Sequence, residues 1–276
     1  MENIFIDELA EMRRVRYRQT SETCCRTETD TLGFINDLGF VWLIDLSEAD
    51  LPSVHKASPQ PYPGEDYDIY ASSWWDLKQT LPGRKDCYYA KVLRGRGTFI
   101  SWACFPYFHA AYASGSDYQD DFRKGILSRD EKRILDLIAQ CPEISSRDLR
   151  RKFGPIGKDA TRSMDRALQN LQETFRITVA GGSLAGWSLH NWALVEDWVR
   201  PEYMEQAGRI EVTAAKRELT FRYINMAIAA SVGDIAWVFR WKRKEVAGLI
   251  EELLGANRIR EVEIMGLPGE MYALNG

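Results

Sequence analysis

Apolar residues recur at helical spacing most clearly between residues 128 and 195. Ser128 stands three residues ahead of Glu131, a capping box. The helix behind it turns Ile134, Leu137 and Ile138 to one side at i, i+3, i+4 spacing. Pro142 stops that helix. Ser145 or Ser146 caps a second one, from Arg147 to Phe153, which Gly154-Pro155 ends. A third is predicted from about Lys158 to Glu173, with Met164, Ala167, Leu168 and Leu171 as its apolar stripe. Strands follow at Arg176 to Val179 and Trp187 to Trp192, around the glycine-rich stretch 181–186. Three helices and a glycine-tipped hairpin give the element order of a winged helix.

The flanking segments read less sharply. Residues 3–18 have a helical pattern, and a second helix is expected from Asp30 to Leu38, capped by Thr29 or Asp30 and ended by Gly39. Phe40-Val41-Trp42-Leu43-Ile44 reads as a buried strand. Alternate prolines make residues 58–68 a loop. A short helix carries Trp74, Trp75 and Leu77, and Leu81-Pro82-Gly83 is expected to turn the chain. Cys87 to Leu93 and Thr98 to Trp102 read as two strands joined by Arg94-Gly95-Arg96-Gly97, a hairpin turn. Towards the end, helices are expected over Thr213 to Ala229, from near Asp234, and over Lys242 to Leu254. Arg258 to Ile264 and Glu270 to Leu274 then form a hairpin. The predicted fold is α+β, with tandem winged-helix units around a central β-rich part. Its units are 1–57, winged-helix-like; 58–127, β-containing; 128–200, the winged helix; and 201–276, again winged-helix-like.

Composition alters this picture only in places. The chain has 276 residues, 45% of them hydrophobic and 28% charged, ordinary for a globular protein. No apolar run approaches the ~18 residues that cross a bilayer, and the first residues carry acids where a signal peptide needs bases. A cytoplasmic protein with no membrane partner is expected. The five cysteines contain no C-x-x-C pair, so neither a zinc site nor a disulfide framework is predicted. The net charge of −4 speaks against a nucleic-acid partner, but the field that matters is local.

Locally, the charge is concentrated. At about 100° per residue, Lys158, Arg162 and Arg166 fall within roughly 80° of one another, opposite the apolar stripe. A helix seated on its own core would turn these cations and Gln169 outward, where they could meet phosphates and base edges. The preceding helix adds Arg147, Arg150, Arg151 and Lys152. From Arg147 to Arg166 there are seven bases and three acids, a local balance of +4. A solvated face used for protein contact is the alternative. Arg94 and Arg96 could reach a groove or remain solvated at a hairpin turn. The N-terminal arginines, with Arg26, could extend the same surface. The last helix carries Glu245, Glu251 and Glu252 outward and reads as structural. Glu65, Asp66 and Asp68 crowd one loop, but a solvated acidic loop is favoured over a cation site. His55, His109 and His190 lack ligand-like spacing, and His109 is expected in the core. No phosphate loop, nucleophile elbow or H-E-x-x-H is present, and no cofactor or metal is expected.

Several short stretches resemble one family. They are Leu38-Gly39-Phe40-Val41-Trp42-Leu43-Ile44-Asp45, Ser73-Trp74-Trp75 and Leu93-Arg94-Gly95-Arg96-Gly97-Thr98, together with Leu127-Ser128, Leu149-Arg150-Arg151 and Ala167-Leu168-Gln169-Asn170-Leu171-Gln172. The chain is similar to the winged-helix DNA glycosylases of the AlkZ/YcaQ type, and more closely to the AlkZ-related proteins beside them. The resemblance implies a concave basic face for double-stranded DNA. It also implies a Gln, followed two positions later by Gln or Asp, on the strand after the first helix pair, where these side chains position water for base release. Trp42 and Ile44 stand at those places, and neither can orient water. Asp45 is the acid nearby, and strand alternation would turn it to the other side unless the register is off by one. The expected function is therefore a DNA-binding protein of this glycosylase-like group that recognises damaged DNA, with its catalytic pair replaced. The alternatives are an active glycosylase excising alkylated or crosslinked bases, and a protein-interaction module that does not bind DNA.

Overall fold

A computed structural model of the chain describes residues 4–46, 49–59, 67–154, 157–184 and 189–275. It is a mixed α/β structure with 14 helices and four small sheets among the described residues. None of these helices is long and apolar enough to cross a membrane.

The first segment opens with β1 (Ile4–Phe5), α1 (Ile6–Arg16), α2 (Glu28–Leu38) and β2 (Phe40–Trp42). The cap of α2 is Thr27, whose hydroxyl accepts from the Asp30 amide while Asp30 accepts in return, so the helix starts earlier than the pattern suggested. Gly39 ends it at φ +86. After α3 (Val54–Ala57) and the 17-residue α4 (Tyr67–Gly83) come β3 (Tyr88–Ala90) and β4 (Thr98–Ile100). The expected turn at Leu81-Pro82-Gly83 is not there. Pro82 lies in the last turn of α4, and the chain reverses at Lys85 (φ +59), where the Asp86 amide donates to Leu81 O and the Lys85 amide to Pro82 O. That is a Schellman closure, which satisfies carbonyls the helix end would otherwise leave open.

β4 is the centre of an antiparallel sheet, β2-β4-β3. Its expected partner strand is shorter than the pattern implied. The connection tightens at Leu93-Arg94-Gly95-Arg96, with Arg94 at φ +56, Gly95 at φ +66 and the Arg96 amide donating to Leu93 O. α5 (Phe105–Tyr112) and α6 (Tyr118–Arg123) lead into α7 (Arg129–Gln140), β5 (Ile144–Ser145), α8 (Ser146–Phe153), α9 (Lys158–Glu173), β6 (Ile177–Ser183) and β7 (Leu189–Leu194). β7 lies between β5 and β6. The caps are Ser128 for α7 and Ser145 for α8, and Met164, Ala167, Leu168 and Leu171 of α9 are buried.

The last part runs through α10 (Val195–Trp198), α11 (Pro201–Gly208), α12 (Val212–Ala227), β8 (Ala229–Ala230), α13 (Val232–Phe239), α14 (Arg243–Gly255), β9 (Ile259–Val262), β10 (Ile264–Met265) and β11 (Met271–Leu274). β8-β11-β9 is antiparallel, whereas β1 runs parallel to β10 and joins the two ends of the described chain. One buried cluster reaches from Tyr17 through the Phe40, Tyr88 and Phe105 aromatics to Ile259 and Tyr272, so the segments share a core.

The N-terminal arginines do not extend a cationic surface. Arg13 donates to the carbonyls of Ala227 and Ala229, Arg16 to Asn225, and Arg18 to Asp30 O and to Asp37. Arg26 donates to Ser21 O. These guanidiniums satisfy backbone at the end of α12 and brace α2, which uses their donors internally. In α14 the outward acids are likewise engaged: Glu245 pairs with Lys216 and Glu252 with Arg217, both from α12.

α4 crosses β6 at a point where two backbones nearly touch. A Cβ added at Gly181 (φ +118) would sit 3.1 Å from Gly83 Cα. Gly181→Ala therefore combines a left-handed backbone cost with a clash between main chains, and is expected to lower stability by about 1–3 kcal/mol. Gly248→Ala, in open space within α14, is expected to raise it by up to about 1 kcal/mol. Thermal unfolding of the two variants checks both signs.

Candidate nucleic-acid interface

A cleft of about 1030 Å³ opens where β2 ends, bounded by α4, the Arg94–Gly97 turn, α9 and β7. α9 and β6 are each held to the central sheet by a polar contact. The Lys91 amide donates to Gln172 Oε1 (2.9 Å), and Thr178 Oγ1 donates to Tyr89 O (3.1 Å). Tyr88 stacks on Phe175 at 5.2 Å between ring centroids. The turn comes so near that a Cβ on Gly95 would lie 2.5 Å from Gln169 Nε2 and displace that side chain, and φ +66 favours glycine there.

Of the residues singled out in the sequence, Ile44, Asp45, Arg96, Arg150, Arg162, Arg166 and Gln169 line this cleft. Arg96, Arg162 and Arg166 are exposed, and among the described residues no carboxylate pairs with Arg166. Arg150 bonds Asp165 of α9 at 2.7 Å, and Arg151 bonds Asp148 at 2.9 Å. Both pairs are solvent-exposed, worth about 0.2–1 kcal/mol, and open to competition from phosphate. Gln169 donates to Glu173, which also holds Arg240. Arg147, Arg151 and Lys152 are exposed but do not line the cleft. Arg94 stacks instead over the Trp237 ring, 4.4 Å from its centroid. The side chain of Lys158, together with Glu65, Asp66 and the Asp68 side chain, lies outside the described residues.

The end of β2 departs from simple alternation. The strand stops at Trp42, which is fully buried against Phe40. Residues 43–45 bend away, so Ile44 is exposed and Asp45 enters the cleft beside it rather than turning to the far side. The segment after it folds back, with the Trp42 amide donating to Pro52 O and the His55 amide to Leu43 O. This return brings His55 Nδ1 to 2.8 Å from Asp45 Oδ1. Partial burial would raise the Asp45 carboxyl. Hydrogen bonds from His55 and its own backbone amide, with the Lys56 and His55 charges, outweigh that and hold it below the usual carboxylate range.

Three further side chains line the cleft, Trp75, Lys78 and His190, and the sequence assigned none of them to a site. Lys78 of α4 is 2% exposed, and its Nζ finds no hydrogen-bond acceptor among the described residues. It sits 3.2 Å above the Trp75 ring, one turn away. Burial pushes it down to about 8, against the pull of Asp76. A cation–π contact returns about 0.5–2 kcal/mol, whereas an unpaired buried ammonium costs several. His190 of β7 has an unpartnered Nδ1 and is lowered to about 4 by burial and by the charges of Lys78 and Lys91. Trp75 and Lys78 stand at i, i+3 on one helix, a visible signal. Nothing local announces that His55 would meet Asp45 or that His190 would meet Lys78. His109, as expected, packs among aromatics, with Phe105 and Phe175 at 5.6 and 5.9 Å, and is lowered to about 4 by burial and Arg176. Among the described residues no three His, Cys, Asp or Glu side chains come together as a metal set.

The chain matches the family described as AlkZ related over residues 25–240. Its fold is similar to the solved structure of the DNA glycosylase AlkZ of Streptomyces sahachiroi. The TM-score is 0.53 at 14% identity, and the match covers 96% of this chain and 70% of that one. At that identity the likeness is one of fold. No curated protein sequence matches the chain.

The two depressed histidines give stability a pH dependence. Each is neutral in the folded chain down to about pH 4. An unfolded chain protonates both below about 6.5. Their contribution, at most about 3 kcal/mol each, is thus whole above about pH 6.5 and lost as pH falls towards 4. Thermal melts at pH 7 and 4.5 should show this loss, and His109→Phe should lose less between those two pH values than the unaltered chain.

Proposed function

The chain belongs to the AlkZ-related family, and from that membership we propose that it binds double-stranded DNA through the cleft between α9 and the end of β2, as a glycosylase-like protein that recognises damaged DNA. The observation that carries this reading is the convergence of exposed Arg96, Arg162 and Arg166, with Gln169, on one concave surface of a chain whose net charge is −4. A cleft focuses the field of its own cations, so local sign decides the partner. On this reading α7, α8, α9 and the β5-β7-β6 sheet act as a winged helix with α9 towards the groove. Segments 1–57 and 201–276 are looser units of the same kind around the sheet of 58–127. Arg147, Arg151 and Lys152 then contact phosphates beyond the cleft.

Salt tests this directly. Binding of duplex DNA, followed by fluorescence anisotropy, should weaken steeply with ionic strength. Arg166→Ala and Arg162→Ala should each weaken it and reduce the log–log salt slope by about one. Binding that is absent at low salt, or variants indistinguishable from the unaltered chain, would leave a protein-interaction module as the better reading.

Base excision is supported by a separate observation, the Asp45 carboxylate held ionised beside His55 inside the cleft. Trp42 and Ile44 offer no group to hydrolysis. A carboxylate can stabilise the cationic sugar that forms as a glycosidic bond breaks, and can orient the attacking water. Release of free base from an alkylated duplex should then fall by about 100-fold or more in Asp45→Asn. An unchanged rate in that variant removes Asp45 from the chemistry.

A further inference from the structure

Lys78 has no structural role that its chemistry explains. It lies in the wall of the cleft, 2% exposed, with an amine that has no acceptor among the described residues and the Trp75 ring beneath it. An apolar side chain of similar length would fill the same space without placing a polar atom there. His190, in the same cleft, also keeps an unpartnered ring nitrogen and is close enough to respond to the charge of Lys78. A buried, unpartnered amine that shares a cleft with a neutral imidazole is the equipment of Schiff-base chemistry on an aldehyde.

We propose that Lys78 is the nucleophile of an abasic-site lyase, its amine condensing with the ring-opened deoxyribose of duplex DNA held in this cleft. The proposal rests on the DNA-binding reading above but not on base excision, because abasic sugars arise wherever a base has been lost. The open form of a sugar that has lost its base exposes an aldehyde at C1′. The Lys78 Nζ lone pair adds to C1′, and the carbinolamine loses water to give an iminium. Loss of a C2′ proton, for which His190 is the available base, expels the 3′ phosphate oxygen with the C3′–O electron pair. Water then hydrolyses the conjugated imine and returns the amine. No oxidant or reductant enters the reaction. The lowered affinity of the buried amine for its proton, to about 8, leaves a fraction of it neutral and nucleophilic near neutral pH.

Borohydride, which reduces an imine to a stable amine, provides the test. The full chain is incubated with an end-labelled duplex carrying one abasic site, with the intact duplex as control, and borohydride is added. Binding of both duplexes is measured in parallel. The expected result is a covalent adduct with the abasic duplex only, mapped by peptide mass spectrometry to Lys78, and strand scission on the 3′ side without borohydride. Lys78→Arg should lose both. The mapping uses the unaltered chain, so it stands even if that variant fails to fold. The proposal is overturned if the chain binds the abasic duplex yet gives no adduct, or if the adduct maps to another lysine such as Lys91. It is also overturned if free glycolaldehyde labels Lys78 as readily as the duplex does. If neither duplex binds, the DNA-binding reading falls and takes this one with it.

Discussion

The site exists because α9 cannot move relative to the central sheet. Gln172 is buried on the helix, and its side-chain oxygen takes the amide of Lys91, which lies just beyond the end of β3. One strand further, Thr178 takes hold of Tyr89 O. The second contact is buried and the first partly so, and a buried group that loses its partner costs its full desolvation. They set the distance between the exposed face of α9 and the carboxylate after β2, and thereby the width of the cleft. The stacked Tyr88 and Phe175 rings fill the space behind them. A surface made of arginines alone would be generic. Arginines held at fixed distance from one carboxylate and one buried amine form a site with a direction.

The chain separates its cations by use. Arg13, Arg16 and Arg18 cap carbonyls and brace helices; Arg176 joins buried Asp121, and Arg222 reaches Glu218. Arginine suits this because its fork of donors reaches several acceptors at once. The arginines around the cleft are exposed, and where they are paired, as with Arg150 and Asp165, the pair is on the surface. Counting bases along the sequence cannot distinguish these two groups, which is why the N-terminal run looked like an extension of the binding face and is not.

The central helices were readable because their signals are local. The capping box at Ser128, the stripe from Met164 to Leu171 and the extent of α9 all follow from spacing within a few residues. The hairpin positions were found, but their ends shifted where a bulge between Val179 and Gly182 or a turn at Arg94 replaced regular pairing. Around Asp45 the reading went astray for a physical reason. Alternation holds only while a strand lasts, and β2 lasts three residues. Lys78 is brought to the cleft, and His55 to Asp45, by the way separate segments fold together, and a periodicity argument has no access to that.

The parallel pairing of β1 with β10 bears on how the chain is made. Arg13 and the carbonyl it caps at Ala229 are 216 residues apart, so a growing polypeptide presents α1 long before its seat has been synthesised. Contacts of such separation are slow to form, because a large loop must close before they give anything back. The first helix therefore waits, amphipathic and unhoused, while the middle of the molecule can already condense around α7 and α9. Translation that stalls before α12 would therefore leave that leading helix without its seat.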